Sequence, residues 1–243
     1  MPNPYFRFKK FIINQDKCSM KVCTDACMLG AYIANASTVN IPQPVELNCL
    51  DVGTGTGLLS LMYAQENPNA IIDAIEIERD AYEQAKENFS NSLWDDRLKI
   101  FHIDARDFVS HKKYDLIICN PPFYENELLS KKKNKNLAKH DTGLLLTDLI
   151  IIIKNHLSKS GYLAILLPYH RTQYFVEMAE ENNLFLQEKL LIRQTPSHNF
   201  FRAILLFSYY KTDVNRKEII IKDNDGNYTE EFVALLKDYY LQF

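Results

Sequence analysis

The sequence has no apolar run long enough to cross a membrane. Its longest near-apolar stretch, Leu144 to Ile153, is interrupted by Asp148 and falls short of the roughly 20 residues that a membrane-spanning helix needs. The N-terminus, MPNPYFRFKKF, lacks the apolar core of a secretory signal peptide. We therefore expect a cytoplasmic protein without a membrane span.

The sequence also lacks the paired cysteines of a zinc site. Its 5 cysteines include Cys18, Cys23 and Cys27, which are spaced C-x4-C-x3-C with no histidine nearby. Zinc sites usually show C-x2-C pairs or sets of cysteine and histidine. We expect free thiols and no metal site.

A strong net charge is missing as well, because the formal charge is only −3 over 243 residues. No global basic field therefore indicates a nucleic-acid partner. The charge is unevenly distributed, however: residues 1–22 and 109–140 each carry a net +4, and residues 66–107 carry a net −6. A local polyanion-binding surface needs such basic segments, but lysines that merely solvate loops give the same pattern.

Short apolar runs alternate with helical segments along most of the chain. We expect strands at 47–52, 70–76, 98–103, 114–119 and 161–168, and helices at 58–66, 80–91, 144–157 and 174–182. This alternation predicts one doubly wound α/β domain, residues 1–243, whose mostly parallel sheet is covered by helices on both faces. A chain that is 47% hydrophobic can bury one core of this size.

The C-terminal part of the chain breaks the alternation. The runs LFLQEKLLIRQ and FFRAILLFSYY have only TPSHN between them, which predicts two antiparallel neighbours. In residues 223–243 the turn signal DNDGNY precedes a helix that Thr229 can cap, with Glu230 and Glu231 in its first turn. At the other end, residues 1–22 form a basic-aromatic N-terminal segment.

A glycine-rich loop follows the first predicted long strand. Its pattern is D-x-G-x-G-x-G, formed by Asp51, Gly53, Gly55 and Gly57. Glycines of this kind let the backbone approach a ligand closely. The dinucleotide pattern G-x-G-x-x-G fails, because Leu58 and Ser60 stand where its last glycine would be, and a P-loop would need Gly-Lys-Ser/Thr.

Two carboxylates follow later strands of the same predicted sheet. Glu76 ends the second strand, where acids accept hydrogen bonds from ribose hydroxyls in nucleotide-binding sheets. Asp104 follows the third strand and is placed to meet an adenine edge. Either acid alone could be a helix cap. Together with the glycine loop they predict a site for an adenosine that carries no phosphate.

The stretch DLIICNPPFYENE places Asn120, Pro121, Pro122 and Phe123 directly after a buried strand. An exocyclic amine conjugated to a ring is a poor nucleophile, and two acceptors aimed at its N–H groups direct its lone pair at an electrophile. The Asn120 side-chain oxygen and the Pro121 carbonyl can be those acceptors, because the prolines stiffen the turn. Phe123 offers a stacking face. A rigid loop in which Asn120 only caps the strand is the alternative.

Together, the glycine loop, Glu76, Asp104 and the Asn-Pro-Pro-Phe turn resemble the Rossmann-like S-adenosylmethionine-dependent methyltransferases over residues 20–210. The resemblance implies S-adenosylmethionine as cofactor and a seven-stranded sheet with one antiparallel strand. Similar Asn-Pro-Pro-aromatic turns serve enzymes that methylate adenine N6, guanine N2 of ribosomal RNA, or a glutamine amide of release factors. The turn alone therefore leaves the substrate open.

The N-terminal segment resembles one group of these enzymes, the bacterial family that N6-methylates adenosine 37 of valine tRNA. The matching residues are Asp16, Lys17, Cys18, Met20, Lys21, Val22, Thr24, Asp25, Leu29, Gly30 and Ala31. Ser19 and Cys23 depart from the family pattern. The resemblance implies a tRNA anticodon-loop substrate and places Lys21, Thr24 and Asp25 near the cofactor. A solvated Lys21 and a Thr24 that only caps a helix are the alternatives.

The basic residues supply candidate contacts to RNA phosphates. They are Arg7, Lys9 and Lys10 in the N-terminal segment and Lys131, Lys132, Lys133 and Lys135 after the Asn-Pro-Pro-Phe turn. We expect a monomer. The rival functions are a guanine-N2 or glutamine methyltransferase, against which the short stretch before Met20 weighs, and a non-catalytic RNA-binding module, against which the intact loop and turn weigh.

Overall fold

The computed structural model describes residues 3–35, 46–121 and 144–243. The strands are β1 (Tyr5–Arg7), β2 (Ile12–Asn14), β3 (Leu47–Val52), β4 (Ala70–Glu76), β5 (Leu98–His102), β6 (Tyr114–Cys119), β7 (Leu157–Pro168), β8 (Phe185–Arg193), β9 (Phe200–Ser208) and β10 (Asn215–Ile220). The helices are α1 (Thr24–Ala34), α2 (Leu58–Glu66), α3 (Arg79–Ser90), α4 (Leu146–His156), α5 (Thr172–Glu181) and α6 (Glu230–Leu236). None of these helices combines the length and apolarity that crossing a bilayer requires.

Eight strands form one sheet in the order β10-β8-β9-β7-β6-β3-β4-β5. Neighbouring strands are parallel except around β9, which runs antiparallel to both β7 and β8. The short strands β1 and β2 pair separately as an antiparallel hairpin. The predicted mostly parallel sheet is confirmed, and within the described residues it has eight strands where the resemblance implied seven.

The additional strand is β10, at the sheet edge beside β8. Its sequence NRKEII exposes three of its six residues and buries Ile219. Two polar contacts hold it to the buried Glu188 of β8: Oε2 of this carboxylate lies 2.7 Å from the amide nitrogen of Asn215 and 3.0 Å from the ammonium of Lys217. An edge strand held in this way leaves no apolar alternation in the sequence, which is why the periodicity did not predict it.

Helices cover both faces of the sheet. Buried residues of α1, α2 and α6 share one core cluster with Phe8 and Phe11 of the N-terminal segment, and those of α4 and α5 share the other. Along β6 the side chains alternate, so that Leu116 belongs to the first core and Ile117 to the second. Because both faces are buried, the inner strands read as continuous apolar runs.

The two ends of the chain pack against each other. The backbone nitrogen of Lys9 donates to the Tyr239 carbonyl at 2.8 Å, and its ammonium donates to the carbonyls of Lys237 at 2.5 Å and Phe243 at 2.8 Å. The expected cap of the last helix is present, since the Thr229 hydroxyl accepts from the backbone nitrogen of Phe232 at 3.2 Å. Both terminal segments therefore contribute to the same side of the core.

Candidate active site

A cavity of about 270 Å³ opens at one end of the strands of the sheet. Because β3, β4, β5 and β6 are parallel neighbours, their carboxyl ends meet there, which is where open α/β sheets bind ligands. Six of the residues predicted for the site line this cavity, namely Gly53, Gly55, Glu76, Asp104, Asn120 and Pro121. The parallel register of the strands thus brings together side chains that are far apart in the sequence.

The glycine loop forms one wall of the cavity. Gly53, Gly55 and Gly57 have φ angles of +71°, +58° and +82°, a region that side chains with a β-carbon rarely adopt. A β-carbon on Gly53 or Gly55 would meet no atom within 4 Å, whereas one on Gly57 would lie 2.5 Å from Phe89 Cε1. Gly53 and Gly55 therefore leave backbone open to a ligand, and Gly57 lets the loop pack on α3.

Asp51 lies beneath the loop and does not line the cavity. Its Oδ2 accepts from the hydroxyls of Thr54 at 2.6 Å and Ser60 at 2.7 Å, which ties the loop to the first turn of α2. Burial raises the pKa of Asp51 to about 6, opposed by these two hydrogen bonds. Its Oδ1 is buried with no hydrogen-bond partner in the part of the chain that the structure describes. Asp51 thus shapes the loop from below.

Glu76 ends β4 and is held by backbone donors. Its Oε2 accepts from the Gly55 nitrogen at 2.8 Å, and its Oε1 accepts from the Glu78 nitrogen at 2.9 Å. The side chain is buried and lines the cavity. Because each carboxylate oxygen can accept more than one hydrogen bond, Glu76 still has capacity for ligand hydroxyls while its orientation is fixed.

Asp104 follows β5 and is engaged by Arg106. Both carboxylate oxygens accept from Arg106 Nε, at 3.0 Å and 3.1 Å, and Oδ1 also accepts from the Arg106 backbone nitrogen at 2.9 Å. Hydrogen bonding to Arg106 lowers the pKa of Asp104 below its usual value, against a smaller opposing effect of burial. Arg106 also lines the cavity, and the prediction from sequence did not include it.

Asn120 and Pro121 follow β6 directly and line the cavity beside the glycine loop, since β6 is the parallel neighbour of β3 and Cys119 pairs with Val52. Asn120 is half-buried and Pro121 is buried. The Asn120 Oδ1 has almost no access to solvent and no hydrogen-bond partner among the described residues. A buried acceptor without a partner is costly, so this oxygen is suited to accept from a bound ligand. Pro122 and Phe123, also predicted for the site, lie outside the described residues.

The N-terminal segment closes the cavity through residues that the sequence reasoning did not choose. Cys18, Ser19 and Met20 line it, whereas Lys21 and Thr24 do not. The Lys21 ammonium donates to the backbone carbonyls of Gln15 and Cys18. It thereby fixes the backbone of the N-terminal segment next to the residues that line the cavity. The sequence pattern includes all of these residues, so only the fold shows which of them line the cavity and which do not.

Thr24 and Asp25 begin α1 and point to other partners. The Thr24 side chain lies close to that of Tyr240. The Asp25 carboxylate accepts from Arg202 Nε at 2.8 Å, which links α1 to β9. These contacts direct both side chains toward Tyr240 and β9, and neither residue lines the cavity.

The predicted RNA-binding residues that the structure describes lie away from the cavity. Lys10 approaches Glu66, the last residue of α2, at 4.0 Å. The helix α2 starts at the glycine loop and rises about 1.5 Å per residue. Lys10 and the neighbouring Lys9 therefore lie near the other end of the strands, away from the cavity. Arg7 is exposed on β1. Lys131, Lys132, Lys133 and Lys135 fall outside the described ranges.

The cysteines and acids form no metal centre in the described ranges. No group of three or more His, Cys, Asp or Glu residues is arranged there to hold a metal ion. Cys18, Cys23 and Cys27 are free thiols, and burial raises the pKa of each well above its usual value. Such thiols are poor nucleophiles and poor ligands at neutral pH.

The chain is similar to known proteins over its whole length. A family model described as the methyltransferase small domain matches residues 35–176. The tRNA1(Val) (adenine(37)-N6)-methyltransferase of Dyadobacter fermentans is 40% identical over 99% of both chains. The enzyme of the same name from Christiangramia forsetii is 38% identical over 100% of both chains. The resemblance inferred from the N-terminal segment is confirmed.

Solved structures with much lower identity share the fold. A protein described as a predicted O-methyltransferase from Agrobacterium tumefaciens aligns with a TM-score of 0.67 and 15% identity, covering 88% of this chain and 96% of that chain. The methyltransferase subunit of a type I restriction-modification system from Streptococcus thermophilus aligns with a TM-score of 0.59 and 15% identity, covering 90% and 52%. These likenesses show that the fold is Rossmann-like.

The cavity fits S-adenosylmethionine, the cofactor of this fold family. Glu76 and Asp104 offer carboxylates at successive strand ends, and the backbone of Gly53 and Gly55 is open between them. The Asn120 Oδ1, which has no partner among the described residues, lies in the same cavity wall and is an acceptor available to a ligand. Family match, full-length identity and fold agree, and the chain belongs to the methyltransferase small-domain family and, within it, to the S-adenosylmethionine-dependent tRNA1(Val) (adenine(37)-N6)-methyltransferases.

Proposed function

We propose that this enzyme transfers a methyl group to N6 of adenosine 37 in the anticodon loop of tRNA1(Val). The observation that carries the proposal is the buried Asn120 Oδ1, an acceptor in the cavity wall that has no partner among the described residues. The full-length relatives that bear this activity in their names support the choice of substrate. We also propose that it acts in the cytoplasm, which a tRNA substrate supports, and that it acts as a monomer.

The cofactor supplies an electrophilic methyl group on a sulfonium. Glu76 would hold the ribose hydroxyls, because its two oxygens are fixed by the nitrogens of Gly55 and Glu78. Asp104 would accept from the adenine amino group, and Gly53 and Gly55 would lie against the cofactor through bare backbone. The other predicted cofactor residues would support the site without contacting the cofactor. They hold the glycine loop and the N-terminal segment in place, and they are Asp51, Gly57, Lys21 and Thr24.

Asn120 and Pro121 would activate and orient the target amine. The lone pair of an adenine amino group is delocalised into the ring, so the nitrogen must become more tetrahedral before it can attack. The Asn120 Oδ1 and the Pro121 carbonyl accept from its two N–H groups and favour this change. Positioning of two reactants alone can contribute about 7–11 kcal/mol. The surplus proton on the methylated nitrogen then passes to water, so no strong base is needed.

The remaining predicted residues complete the proposal from sequence. Pro122 would stiffen the turn and Phe123 would stack on the target base. Lys131, Lys132, Lys133 and Lys135 would contact phosphates beside that base. Because Lys9 and Lys10 lie near the opposite sheet edge, they and Arg7 would contact a more distant part of the tRNA.

The experiment uses total tRNA from a strain deleted for this gene. The tRNA is incubated with the enzyme and S-adenosylmethionine carrying a labelled methyl, digested to nucleosides and analysed by mass spectrometry. Labelled N6-methyladenosine, mapped to position 37 of tRNA1(Val), is the expected result. In parallel incubations, ribosomal RNA and release factors from the same strain replace the tRNA, and label in a guanine or in a glutamine there would replace the proposal with one of those activities. Absence of label in all three would support a non-catalytic RNA-binding role.

A further inference from the structure

A second group of side chains lies at the same end of the strands as the cavity, which we call the cavity edge of the sheet. The turn Tyr169–Arg171 follows the carboxyl end of β7, and residues 194–199 join β8 to β9. Since β7 is the parallel neighbour of β6, the turn lies beside the strand end that carries Asn120. With about 4.8 Å between strands and about 3.3 Å per residue along them, the group lies roughly 5 to 15 Å from β6 across the sheet and about 10 Å or more beyond Asn120 along the strands, because Cys119 is paired with Ile165 and the turn begins at Tyr169.

Rings and cations alternate in this group, which we call the edge cluster and define as Tyr169, Arg171, Tyr174, Arg193 and Phe200. The guanidinium of Arg193 lies 4.6 Å from the ring centroid of Phe200, which in turn lies 5.5 Å from that of Tyr169. The guanidinium of Arg171 lies 5.4 Å from the Tyr174 ring. The rings are therefore held side by side by neighbouring cations and not by an apolar core.

The aromatic members of the edge cluster remain accessible. Tyr169 is 40% exposed and Tyr174 is 53% exposed, while Phe200 is half-buried. Aromatic rings that keep an accessible face at a sheet edge can stack on nucleobases. Neither the cavity nor the core of the protein requires that exposure.

The charge of these segments is of one sign. Residues 168–174 and 193–202 contain three arginines, two histidines and no aspartate or glutamate, in a chain whose formal charge is −3. Glu218 pairs with Arg193, and Asp25 pairs with Arg202 at 2.8 Å. These ion pairs hold Arg193 and Arg202 in fixed positions, and because a guanidinium carries five N–H donors, Arg193 can contact a phosphate as well as Glu218.

We propose that the edge cluster is the docking surface for the unpaired nucleotides that flank the target adenosine in the substrate RNA. Its rings stack on bases and its arginines contact the backbone, so it aligns the loop before the target base enters the cavity. The combination of accessible rings and cations is the chemistry that binds single-stranded RNA. The inference rests on the proposed tRNA substrate.

The test compares pairs of variants that keep or remove a ring. Tyr169→Leu and Phe200→Leu remove stacking but keep bulk, while Tyr169→Phe and Phe200→Tyr keep the ring. The matched control is the cation–aromatic pair at the opposite edge of the same strands, where the Lys211 ammonium lies 5.7 Å from the Phe185 ring. Its variants are Phe185→Leu and Lys211→Ala. Binding of an unmodified valine tRNA transcript and binding of S-adenosylmethionine are measured separately.

We expect the two leucine variants to bind the transcript about 5-fold or more weakly, with unchanged cofactor affinity. The ring-keeping variants and the opposite-edge variants should stay within about 2-fold of wild type. Equal loss in the opposite-edge variants, or full affinity in the leucine variants, overturns the inference. Should a leucine variant fail to fold, Arg171→Gln takes its place, since loss of one phosphate contact lowers the salt dependence of binding by about one counterion.

Failure of this inference and failure of the proposed function remain distinguishable. If wild-type enzyme labels adenosine in tRNA and the leucine variants bind as wild type does, the activity stands and the docking surface is refuted. If wild-type enzyme leaves tRNA unlabelled while the leucine variants lose affinity for it, the surface stands and the proposed reaction is refuted.

Discussion

Arg106 donates to the carboxylate of Asp104, and the Arg106 Nε lies 3.0 Å and 3.1 Å from the two Asp104 oxygens. A ligand amine that donates to Asp104 must therefore share it with the guanidinium. Arg106 lowers the pKa of Asp104, so the carboxylate remains an ionised acceptor further into the acid range than an isolated aspartate does.

The first prediction concerns the acid limit of cofactor binding. In Arg106→Ala the pKa of Asp104 returns toward its ordinary value, so cofactor affinity should begin to fall at a higher pH than in wild type. Titration of S-adenosylmethionine binding against pH measures this limit. Lys99→Ala, which removes an exposed cation from β5 outside the cavity, is the control and should leave the limit unchanged. An identical limit in Arg106→Ala would show that Asp104 does not contact the cofactor.

Asn120 is the subject of the second prediction. Asn120→Ala should lower the turnover of tRNA by on the order of 100-fold or more, the usual effect of removing an acceptor used in the transition state. The Oδ1 that is lost has no partner among the described residues, so thermal stability and cofactor affinity should change little. Single-turnover methylation, thermal unfolding and calorimetry separate these quantities. Asn155→Ala on the exposed side of α4 controls for the loss of an amide, and near-normal turnover of Asn120→Ala would remove Asn120 from the mechanism.

The inner strands and the glycine loop could be predicted from the sequence, because each is set by residues that are adjacent in the chain. The inner strands bury both faces, as Leu116 and Ile117 show, and their apolar runs stand out. The pattern from Asp51 to Gly57 sets the loop by itself, since its three glycines have positive φ. The predicted strands also placed Glu76 and Asp104 at successive strand ends, where the structure has them.

The rest of the site depends on contacts between distant segments. The placement of Cys18 and Met20 in the cavity wall depends on Lys21 turning back to the carbonyls of the closing segment. The position of Lys10 near the opposite edge follows from the packing of the chain ends. Arg106 is different, because an arginine two residues after Asp104 is visible in the sequence, and the hydrogen bond from its backbone to that carboxylate is a common local turn.

A third prediction follows from the buried Asp51. Its pKa is raised to about 6, so the folded state binds a proton that the unfolded state releases near pH 4. This contribution to stability is complete below about pH 4 and is lost as the pH rises through about 6. Asp51→Asn carries no such charge and can still accept from Thr54 and Ser60. The free energy of unfolding of Asp51→Asn relative to wild type should therefore rise by on the order of 3 kcal/mol between about pH 4 and pH 7.

Urea unfolding at a series of pH values measures this difference. Asp95→Asn, at an exposed position in the turn before β5, controls for the loss of one negative charge and should show a much smaller change. A difference between wild type and Asp51→Asn that is flat across this range would mean that Asp51 is ionised throughout.

The last prediction separates the roles of three glycines that share a positive φ. Gly226 lies in the turn before α6 with φ +86°, and a β-carbon there, as on Gly55, would meet no atom within 4 Å. Gly55→Ala and Gly226→Ala should each lower the free energy of unfolding by about 1–2 kcal/mol, through backbone strain alone. Gly57→Ala should lower it by a further 1–3 kcal/mol or so, because its β-carbon would collide with Phe89.

Cofactor affinity should divide the same variants differently. Gly55 lines the cavity and Gly226 does not, so Gly55→Ala should bind S-adenosylmethionine about tenfold more weakly, equivalent to about 1.4 kcal/mol, while Gly226→Ala binds as wild type does. Urea unfolding and calorimetry on the three proteins give both quantities. Equal cofactor affinity in Gly55→Ala and Gly226→Ala would show that the cofactor does not lie against the loop. If Gly55→Ala loses affinity at the same stability cost as Gly226→Ala, the glycine is needed at this position for room at the cavity wall and not for the turn alone.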